Sequence, residues 1–304
     1  MENNLLDLVI IGAGPAGVTA AIYAKRANLN FEIFEKYIIG GQVVNAFEIE
    51  NYPGFNKILG SDLAFSYINQ LKYQNIKVKF EEIIKITEIS NHLYELSTNI
   101  ENKYYAKNVI LALGANPRKI SFNSNANIER YISYCATCDG NFYKNKDVLV
   151  IGGGDSSITE SIYLSNIVKN VIISSRSQLR ADKSNINKIS KIENVVIYEN
   201  TLVDYIEEKE NGLLVTIKNK YNNETKSLYV DGIFVYAGLL PQTSFLSNLN
   251  ILNENGYVIV NNEFETVKEG LYAIGDCIQK DLRQIVTAES DGAIAIHSII
   301  SKKQ

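Results

Sequence analysis

The feature that most constrains this chain is a glycine-rich stretch that follows its first apolar segment. Residues 5–11 are almost entirely apolar and have the character of a strand. They lead into Gly12-Ala13-Gly14-Pro15-Ala16-Gly17, after which residues 18–27 have a helix-forming pattern and residues 31–34 again resemble a strand. A strand, a tight turn, a helix and a second strand within about 30 residues make one βαβ unit. The pattern therefore predicts a parallel sheet covered by helices.

This first glycine loop has the spacing of a dinucleotide-binding turn. Gly12, Gly14 and Gly17 permit a tight turn, a close approach of the backbone to a pyrophosphate, and close packing of the helix on the strand. The free amide groups at the start of the helix then face the phosphates. Glu35 ends the second strand, at the separation where an acidic side chain accepts hydrogen bonds from ribose hydroxyls. The loop alone does not distinguish FAD from NAD.

A second opening of the same kind occurs in the middle of the chain. Residues 148–151 have strand character and precede Gly152-Gly153-Gly154-Asp155-Ser156-Ser157, followed by a helical segment to about residue 166 and a strand at 171–173. Two such openings predict the α/β class, with two Rossmann-like nucleotide-binding domains, the second inserted in the first. The length of 304 residues agrees with two domains of about 150 residues each.

Composition and charge exclude several other classes of protein. Hydrophobic residues make up 46% of the chain and charged residues 21%, which is typical of a globular protein. The net charge of −4 provides no basic field, so we expect no nucleic-acid partner. Residues 1–4 are polar and acidic, and Asp7 interrupts the apolar segment that follows. We therefore expect neither a signal peptide nor a membrane span, and we predict a cytoplasmic location.

Cys135 and Cys138 form a C-x-x-C pair shortly before the second glycine loop. Such a pair can close a disulfide, and a neighbouring dipole can favour one of its thiolates. It can also be half of a structural zinc site, but that site needs four ligands. The other candidate ligands are widely scattered, namely Cys277, His92 and His297, so we expect no metal. Asp139 is either a turn residue or the group that exchanges protons with the thiols. We expect Cys277 to be a buried, structural residue.

Together with a late Gly275-Asp276 pair, these motifs make the chain resemble the low-molecular-weight thioredoxin reductases over essentially its whole length. The resemblance implies a homodimer whose FAD-binding domain, residues 1–116 plus 243–304, carries an inserted disulfide-bearing domain, residues 117–242. It also implies that electrons pass from the flavin to Cys138, the cysteine nearer to it. Cys135 would then attack the disulfide of thioredoxin.

The resemblance also implies which residues contact the FAD. They lie in segments of this sequence that match those of the family, including residues 40–42, 50–54, 112–118 and 272–276. The implied contacts are Gly12, Gly14, Pro15, Ala16, Gly17, Glu35, Gly40, Gly41, Gln42, Asn51, Ala112, Gly114, Gly275, Asp276, Arg283 and Gln284. The implied catalytic residues are Cys135, Cys138 and Asp139.

The second glycine loop departs from the family pattern. The family has a His-Arg-Arg run that grips the 2′-phosphate of NADPH, but residues 174–176 are Ser-Ser-Arg, and only Arg176 and Arg180 remain of the full set. Serine offers neither the charge nor the forked donors of arginine. No acidic residue ends the strand at 171–173 to hold the ribose of NADH. In addition, Ser157 stands where the family usually has Ala or Gly.

NADPH is therefore doubtful as the electron donor, and the sequence favours ferredoxin. In this respect the chain resembles the ferredoxin-dependent flavin thioredoxin reductases, which keep the FAD and C-x-x-C segments without the NADPH motifs. A flavin can accept the single electrons that ferredoxin delivers and reduce a two-electron disulfide. Three alternatives are an NADPH-dependent thioredoxin reductase, a small-molecule dithiol oxidase of the same fold, and a non-enzymatic flavin-bound redox sensor whose cysteine pair switches a partner interface.

Overall fold

The computed structural model describes residues 5–46, 49 and 51–302. Residues 1–4, on which the expected absence of a signal peptide rests, and Glu50 of the implied flavin-contacting segment lie outside the described residues. Within the described part, the chain divides into two compact units. The first runs to Asn116 and resumes at Leu240, and the second is Pro117–Leu239. The assignment of FAD to one part and the disulfide chemistry to the other stays a prediction.

Both units contain strands and helices. The strands are β1 (Leu5–Ile11), β2 (Phe31–Phe34), β3 (Val78–Lys79), β4 (Ile83–Ser90), β5 (Leu93–Thr98), β6 (Lys103–Leu111), β7 (Ala115–Pro117), β8 (Ile132–Ser133), β9 (Asp147–Ile151), β10 (Asn170–Ser175), β11 (Val195–Glu199), β12 (Thr201–Lys209), β13 (Gly212–Asn219), β14 (Thr225–Val230), β15 (Gly232–Val235), β16 (Leu239–Pro241) and β17 (Leu271–Ala273). The α-helices are α1 (Pro15–Arg26), α2 (Gly60–Tyr73), α3 (Ala136–Asp139), α4 (Asp155–Ser165), α5 (Lys183–Ile189) and α6 (Ile285–Ser301). Short 3₁₀ turns include Gly41–Asn45, Gly140–Tyr143 and Gly275–Cys277.

The sheet of the first unit has the strand order β3-β2-β1-β6-β5-β4, and β17 also pairs with β6. β1 runs parallel to both β2 and β6, with Ile10 opposite Ile33 on one side and Ile110 on the other. These three side chains are fully buried, which explains why the strands are nearly continuous apolar runs. Helix α1 packs closely on α6. At their contact, a Cβ added to Gly292 of α6 would lie only 2.5 Å from the carbonyl oxygen of Ala16 in α1, so glycine is needed there.

The second unit contains a parallel sheet, β11-β10-β9-β15-β8, and an antiparallel sheet, β12-β13-β14. Each glycine loop follows a strand that lies between two parallel neighbours, β1 between β2 and β6 and β9 between β10 and β15. This confirms the predicted α/β class with two Rossmann-like folds, although β5 and β4 extend the first sheet in the antiparallel direction. Strand β10 extends two residues beyond the predicted end, so Ser174 and Ser175 belong to the strand and are each 2% exposed. Among the described residues, no helix has both the length and the hydropathy needed to cross a membrane.

Candidate active site

The first glycine loop joins β1 to α1 and leaves open space in front of the helix. Gly12 has φ +105°, and a Cβ there would lie 2.2 Å from the carbonyl oxygen of Ala112, so only glycine fits. A Cβ at Gly17 would lie 1.8 Å from the Gly12 carbonyl oxygen. At Gly14, by contrast, a Cβ would meet no atom within 4 Å. The loop is thus packed tightly against the protein on one side and accessible to a pyrophosphate at the helix start.

Glu35, the predicted ribose-binding acid, also holds the loop in shape. Its Oε2 accepts a hydrogen bond from the Ala13 N–H at 2.8 Å, and its Oε1 accepts one from the Tyr37 N–H at 2.8 Å. A carboxylate has about four acceptor positions, so Glu35 can bind a pair of hydroxyls while it keeps both backbone contacts.

Two further predicted segments lie against this loop. The Gly40 N–H donates to the Ala13 carbonyl at 2.8 Å, and a Cβ at Gly41 would lie 3.3 Å from the Gly14 Cα. A Cβ at Gly275 would lie 3.1 Å from the Ala16 side chain. The structure thus brings together loops 12–17, 40–42 and the turn at 275, which are far apart in sequence.

The polar members of the predicted set pair with one another in the first unit. Gln42 donates its side-chain amide to Asn116 Oδ1, and Asn51 donates to Gln284 Oε1 at 3.2 Å. Gln284 in turn begins helix α6 through a capping box with Thr287. Gly114 has φ +67° and lies in the turn between β6 and β7.

Asp276 carries a buried carboxylate oxygen, Oδ1, that has no hydrogen-bond partner among the described residues. Burial raises the pKa of this carboxyl, although the charges of Lys280 and Arg283 act in the opposite direction. The Arg283 Nε is likewise buried and unpartnered, with the guanidinium over the ring of Tyr257 at 4.7 Å. A buried polar atom normally has a partner, so Asp276 fits the hydroxyl-rich chain of the FAD that the resemblance implies.

Cys135 and Cys138 are joined by a disulfide in the second unit. Cys135 precedes the short helix α3, and the Cys138 N–H points at its Sγ at 3.2 Å. The Thr137 hydroxyl lies 3.4 Å from the same sulfur. Donors directed at a sulfur favour its thiolate form, so after reduction this geometry stabilises a thiolate at Cys135.

Asp139 lies one residue beyond the disulfide and is held by a side chain that the sequence analysis missed. The Ser133 hydroxyl donates to Asp139 Oδ2 at 2.7 Å and accepts from the Cys135 N–H at 3.1 Å. Burial raises the pKa of Asp139, and the bond from Ser133 lowers it in part. A carboxyl with a raised pKa is better suited to exchanging protons with thiols than one with an ordinary pKa.

Comparison with known proteins gives the family. The model of the pyridine nucleotide-disulphide oxidoreductase family matches residues 6–292. The chain belongs to this family. It is 40% identical over 302 residues to a thioredoxin reductase of Bacillus subtilis, covering 98% of this chain and 95% of that protein. It is 38% identical over 297 residues to one of Listeria innocua, covering 97% and 92%. A thioredoxin reductase structure from Streptococcus pyogenes superposes with a TM-score of 0.87 at 37% identity, covering 98% of both chains.

These relatives bear out the predicted resemblance to thioredoxin reductases. They give no support to the finer prediction of a ferredoxin-dependent subtype, and the description of the family names a pyridine nucleotide. The expectation that the protein does not use NADPH is therefore unsupported.

Two further side chains of this oxidoreductase lie near the disulfide and were not predicted. The Tyr236 hydroxyl accepts from the Ala136 N–H at 2.8 Å, at the first residue of α3. Burial, the nearby Glu160 and, to a smaller extent, Asp139 raise the pKa of Tyr236, while the bond from the Ala136 N–H acts in the opposite direction. Glu160 Oε2 is buried without a hydrogen-bond partner in the described chain, and burial raises the pKa of that carboxyl. Tyr236 lies 100 residues from the C-x-x-C motif, so sequence spacing could not reveal the contact.

Cys277 is buried, as predicted. Its thiol is fully buried and lies within hydrogen-bond distance of the carbonyl oxygens of Leu111 and Ile274, at 3.4 and 3.3 Å. Burial raises the pKa of this thiol to about 11, so the thiolate is rare at neutral pH.

The second glycine loop of this family member keeps the backbone shape of a nucleotide-binding turn. Gly152 has φ +147°, and a Cβ at Gly153 would lie 2.1 Å from Ser175 Oγ. Ser174 Oγ lies 2.9 Å from Thr201 Oγ1 inside the unit. The two serines are therefore packing residues, and neither replaces a phosphate-binding arginine. Both remaining arginines of the predicted set, Arg176 and Arg180, are exposed.

Proposed function

We propose that this protein is an FAD-dependent thioredoxin-disulfide reductase that takes its electrons from NADPH. The observation that carries the proposal is the Cys135–Cys138 disulfide at the start of α3, beside the buried carboxyl of Asp139. A chain matched from end to end by thioredoxin reductases supports thioredoxin as the substrate. The pyridine-nucleotide character of the family supports NADPH as the donor.

Ferredoxin, the donor favoured by the sequence, has less support. The family is described by a pyridine nucleotide, and the relatives reported above are named as thioredoxin reductases with no mention of ferredoxin. We therefore replace ferredoxin by NADPH in the proposed function.

The proposed arrangement keeps the predicted division of labour. Residues 1–116 plus 243–304 would hold the FAD. The contacts would come from the unpartnered Oδ1 of Asp276, the carboxylate of Glu35 and the backbone at Gly14, where there is open space. Residues 117–242 would hold the disulfide and the nicotinamide nucleotide. A homodimer and a cytoplasmic location are part of the same proposal.

When bound, FAD supplies the chemistry that turns a hydride equivalent from NADPH into an electron pair for the disulfide. The remaining steps belong to this chain. The Cys135 thiolate, stabilised by the Cys138 N–H, attacks one sulfur of the thioredoxin disulfide and forms a mixed disulfide. The Cys138 thiolate then attacks Cys135 Sγ, which releases dithiol thioredoxin and closes the Cys135–Cys138 disulfide. The carboxyl of Asp139 donates a proton to one leaving thiolate of thioredoxin, and solvent supplies the second proton and returns the proton to Asp139.

The roles of the cysteines are tested by trapping. Cys138→Ser keeps the attacking thiolate but cannot resolve the product, so it is expected to accumulate a mixed disulfide with thioredoxin. Cys135→Ser is expected to trap none, and Cys277→Ser is the matched control because its thiol is buried. Trapping by the Cys135→Ser variant alone would exchange the two roles, and trapping by neither would contradict thioredoxin as the substrate.

The donor is tested by anaerobic flavin bleaching. The FAD-loaded protein is mixed with excess NADPH, and the absorbance of the oxidised flavin is followed. Rapid bleaching is expected. Bleaching by reduced ferredoxin and not by NADPH would restore the donor predicted from the sequence, while leaving the thioredoxin assignment open to the trapping experiment.

A further inference from the structure

The second unit contains an open cavity of about 510 Å³ beside its glycine loop. Its lining residues come from three separate segments: Ser177, Gln178, Arg180, Asn200 and Tyr221. The cavity is joined to the glycine loop by a backbone hydrogen bond from the Arg180 N–H to the Gly153 carbonyl at 2.7 Å. A nucleotide with its phosphates at this loop therefore has room for its adenosine end in the cavity.

A lysine from a distant hairpin lies at the edge of this cavity. Lys220 follows β13, and its backbone N–H donates to the carbonyl of the cavity residue Asn200 at 2.9 Å. Its Nζ donates to the carbonyl oxygen of Arg176 at 3.2 Å. An ammonium group has three donors, so two of them remain for a ligand. Lys220 thus brings a third cation to the segment that carries Arg176 and Arg180.

The charges around the cavity are of both signs. Glu199 pairs with Ser175 in the sheet register and accepts from the Leu179 N–H at 2.8 Å. Asp182 lies two residues beyond Arg180, and its N–H donates to Asp155 Oδ1 at 2.7 Å. None of these carboxylates forms an ion pair with Arg176, Arg180 or Lys220 among the described residues, so the three cations remain available to an anionic group.

An aromatic side chain completes the cavity. Tyr221 follows Lys220 directly, lines the cavity and is 78% exposed. An aromatic ring with a free face next to a phosphate-binding group is suited to stacking on a purine base. The cavity therefore offers a stacking surface and a cationic group side by side.

We propose that Lys220 replaces the missing arginines in binding the 2′-phosphate of NADPH, with Tyr221 stacking on the adenine. This inference rests on the proposed function, since it names the group that selects the nucleotide at the same site. It explains how Ser174 and Ser175 can be buried packing residues without loss of a phosphate grip. Lys220 lies 44 residues from Arg176 in the sequence, so a comparison of the phosphate-binding motif alone does not include it.

The test measures binding of nucleotide fragments, which carry no electrons. The FAD-loaded full-length protein is titrated calorimetrically with adenosine 2′,5′-bisphosphate and with 5′-AMP at fixed ionic strength. The wild type is expected to prefer the bisphosphate. Lys220→Gln is expected to lower the affinity for the bisphosphate about tenfold, which corresponds to the loss of one charge-assisted hydrogen bond. The affinity for 5′-AMP is expected to stay the same.

Matched variants separate charge from stacking. Lys209→Gln changes an exposed lysine at the opposite end of the same antiparallel sheet and is expected to change neither affinity. Tyr221→Ala is expected to lower the affinities for both fragments by the same factor. Glu199→Gln, which removes a negative charge, is expected to raise the affinity for the bisphosphate. The inference would be overturned if the wild type bound the two fragments with equal affinity. It would also be overturned if Lys220→Gln bound the bisphosphate as tightly as Lys209→Gln does. Failure of the proposed function would appear instead in the thioredoxin trapping experiment.

Discussion

The Ser133 hydroxyl holds Asp139 across the redox motif, with its Oγ 2.7 Å from Asp139 Oδ2 and 3.1 Å from the Cys135 nitrogen. One hydroxyl therefore connects the carboxyl of Asp139 to the backbone of Cys135, the two groups to which the proposed function assigns proton exchange and attack on thioredoxin. Burial and this hydrogen bond act on Asp139 in opposite directions, burial raising the pKa and Ser133 lowering it. Ser133 is thus a positioning residue that also limits how far the pKa of Asp139 rises.

The variant Ser133→Ala is expected to raise the pKa of Asp139 further, because the ionised carboxylate loses a donor while burial is unchanged. The limb of the pH–rate profile that depends on protonated Asp139 should move to higher pH by about one unit. The measurement is kcat for thioredoxin reduction as a function of pH. Ser133→Thr, which keeps the hydroxyl, should restore the profile, and Ser227→Ala on the exposed face of β14 is the control. An unchanged profile in Ser133→Ala would assign Ser133 a purely structural role.

The first glycine loop predicts opposite outcomes for two neighbouring glycines. Gly14→Ala places its Cβ in open space at φ −75°, so the fold should be retained at a cost of about 1 kcal/mol, while the methyl group occupies the place of the pyrophosphate. Gly12→Ala meets both a positive φ and the Ala112 carbonyl, so it should destabilise the unit severely. FAD content and thermal unfolding of the apoprotein separate the two effects. Normal FAD affinity in Gly14→Ala would contradict the assigned site.

These loops show what the sequence could establish. The strand, the glycines and the following helix are local, so the predicted strand at 31–34 coincides with β2 and the predicted start at residue 5 with β1. Helix α1 begins at Pro15, earlier than the pattern indicated, because proline is favoured in the first turn of a helix. Local chemistry alone fixed these elements.

The features that the sequence could not reveal depend on contacts between distant segments. The polar residues Ser174 and Ser175 seemed to end their strand, yet Ser174 is buried because Thr201 provides a hydrogen-bond partner. The contacts of Lys220 with Arg176 and of Tyr236 with Ala136 span 44 and 100 residues. Their partners become neighbours only through sheet pairing, which a motif comparison does not contain.

Glu265 is expected to make the first unit sensitive to acid. Burial would raise its pKa, but hydrogen bonds from Lys302 and from the Gly270 N–H, at 3.0 Å, lower it below the ordinary value of 4.5. A lowered folded-state pKa means that the contribution to stability is complete above 4.5 and is lost as the pH falls through the folded-state value.

Glu265→Gln should therefore lower the free energy of unfolding by about 2 kcal/mol at pH 7. The difference from the wild type should shrink as the pH falls below 4.5. Urea unfolding at several pH values measures this dependence, and Glu254→Gln, at an exposed position, is the control. A difference that stays constant with pH would show that Glu265 acts through packing and not through its charge.

Replacing the buried Ser157 by alanine is expected to make the protein more stable. Its side chain is 1% exposed in helix α4, and its Oγ has no hydrogen-bond partner in the described part of the chain. A buried hydroxyl without a partner costs about 1–3 kcal/mol. Ser157→Ala removes that hydroxyl without changing the backbone, so it should raise the free energy of unfolding of the second unit by about 1 kcal/mol beyond any gain in helix propensity.

Ser156→Ala separates the two contributions, because Ser156 is exposed in the first turn of the same helix and gains only the propensity difference. Denaturation curves measured in parallel should therefore give Ser157→Ala the highest free energy of unfolding, Ser156→Ala an intermediate one and the wild type the lowest. Equal gains would mean that the Ser157 hydroxyl has a partner in the functioning protein, and the place to look for it is the second glycine loop, where a Cβ at Gly152 would lie 3.1 Å from Ser157 Oγ.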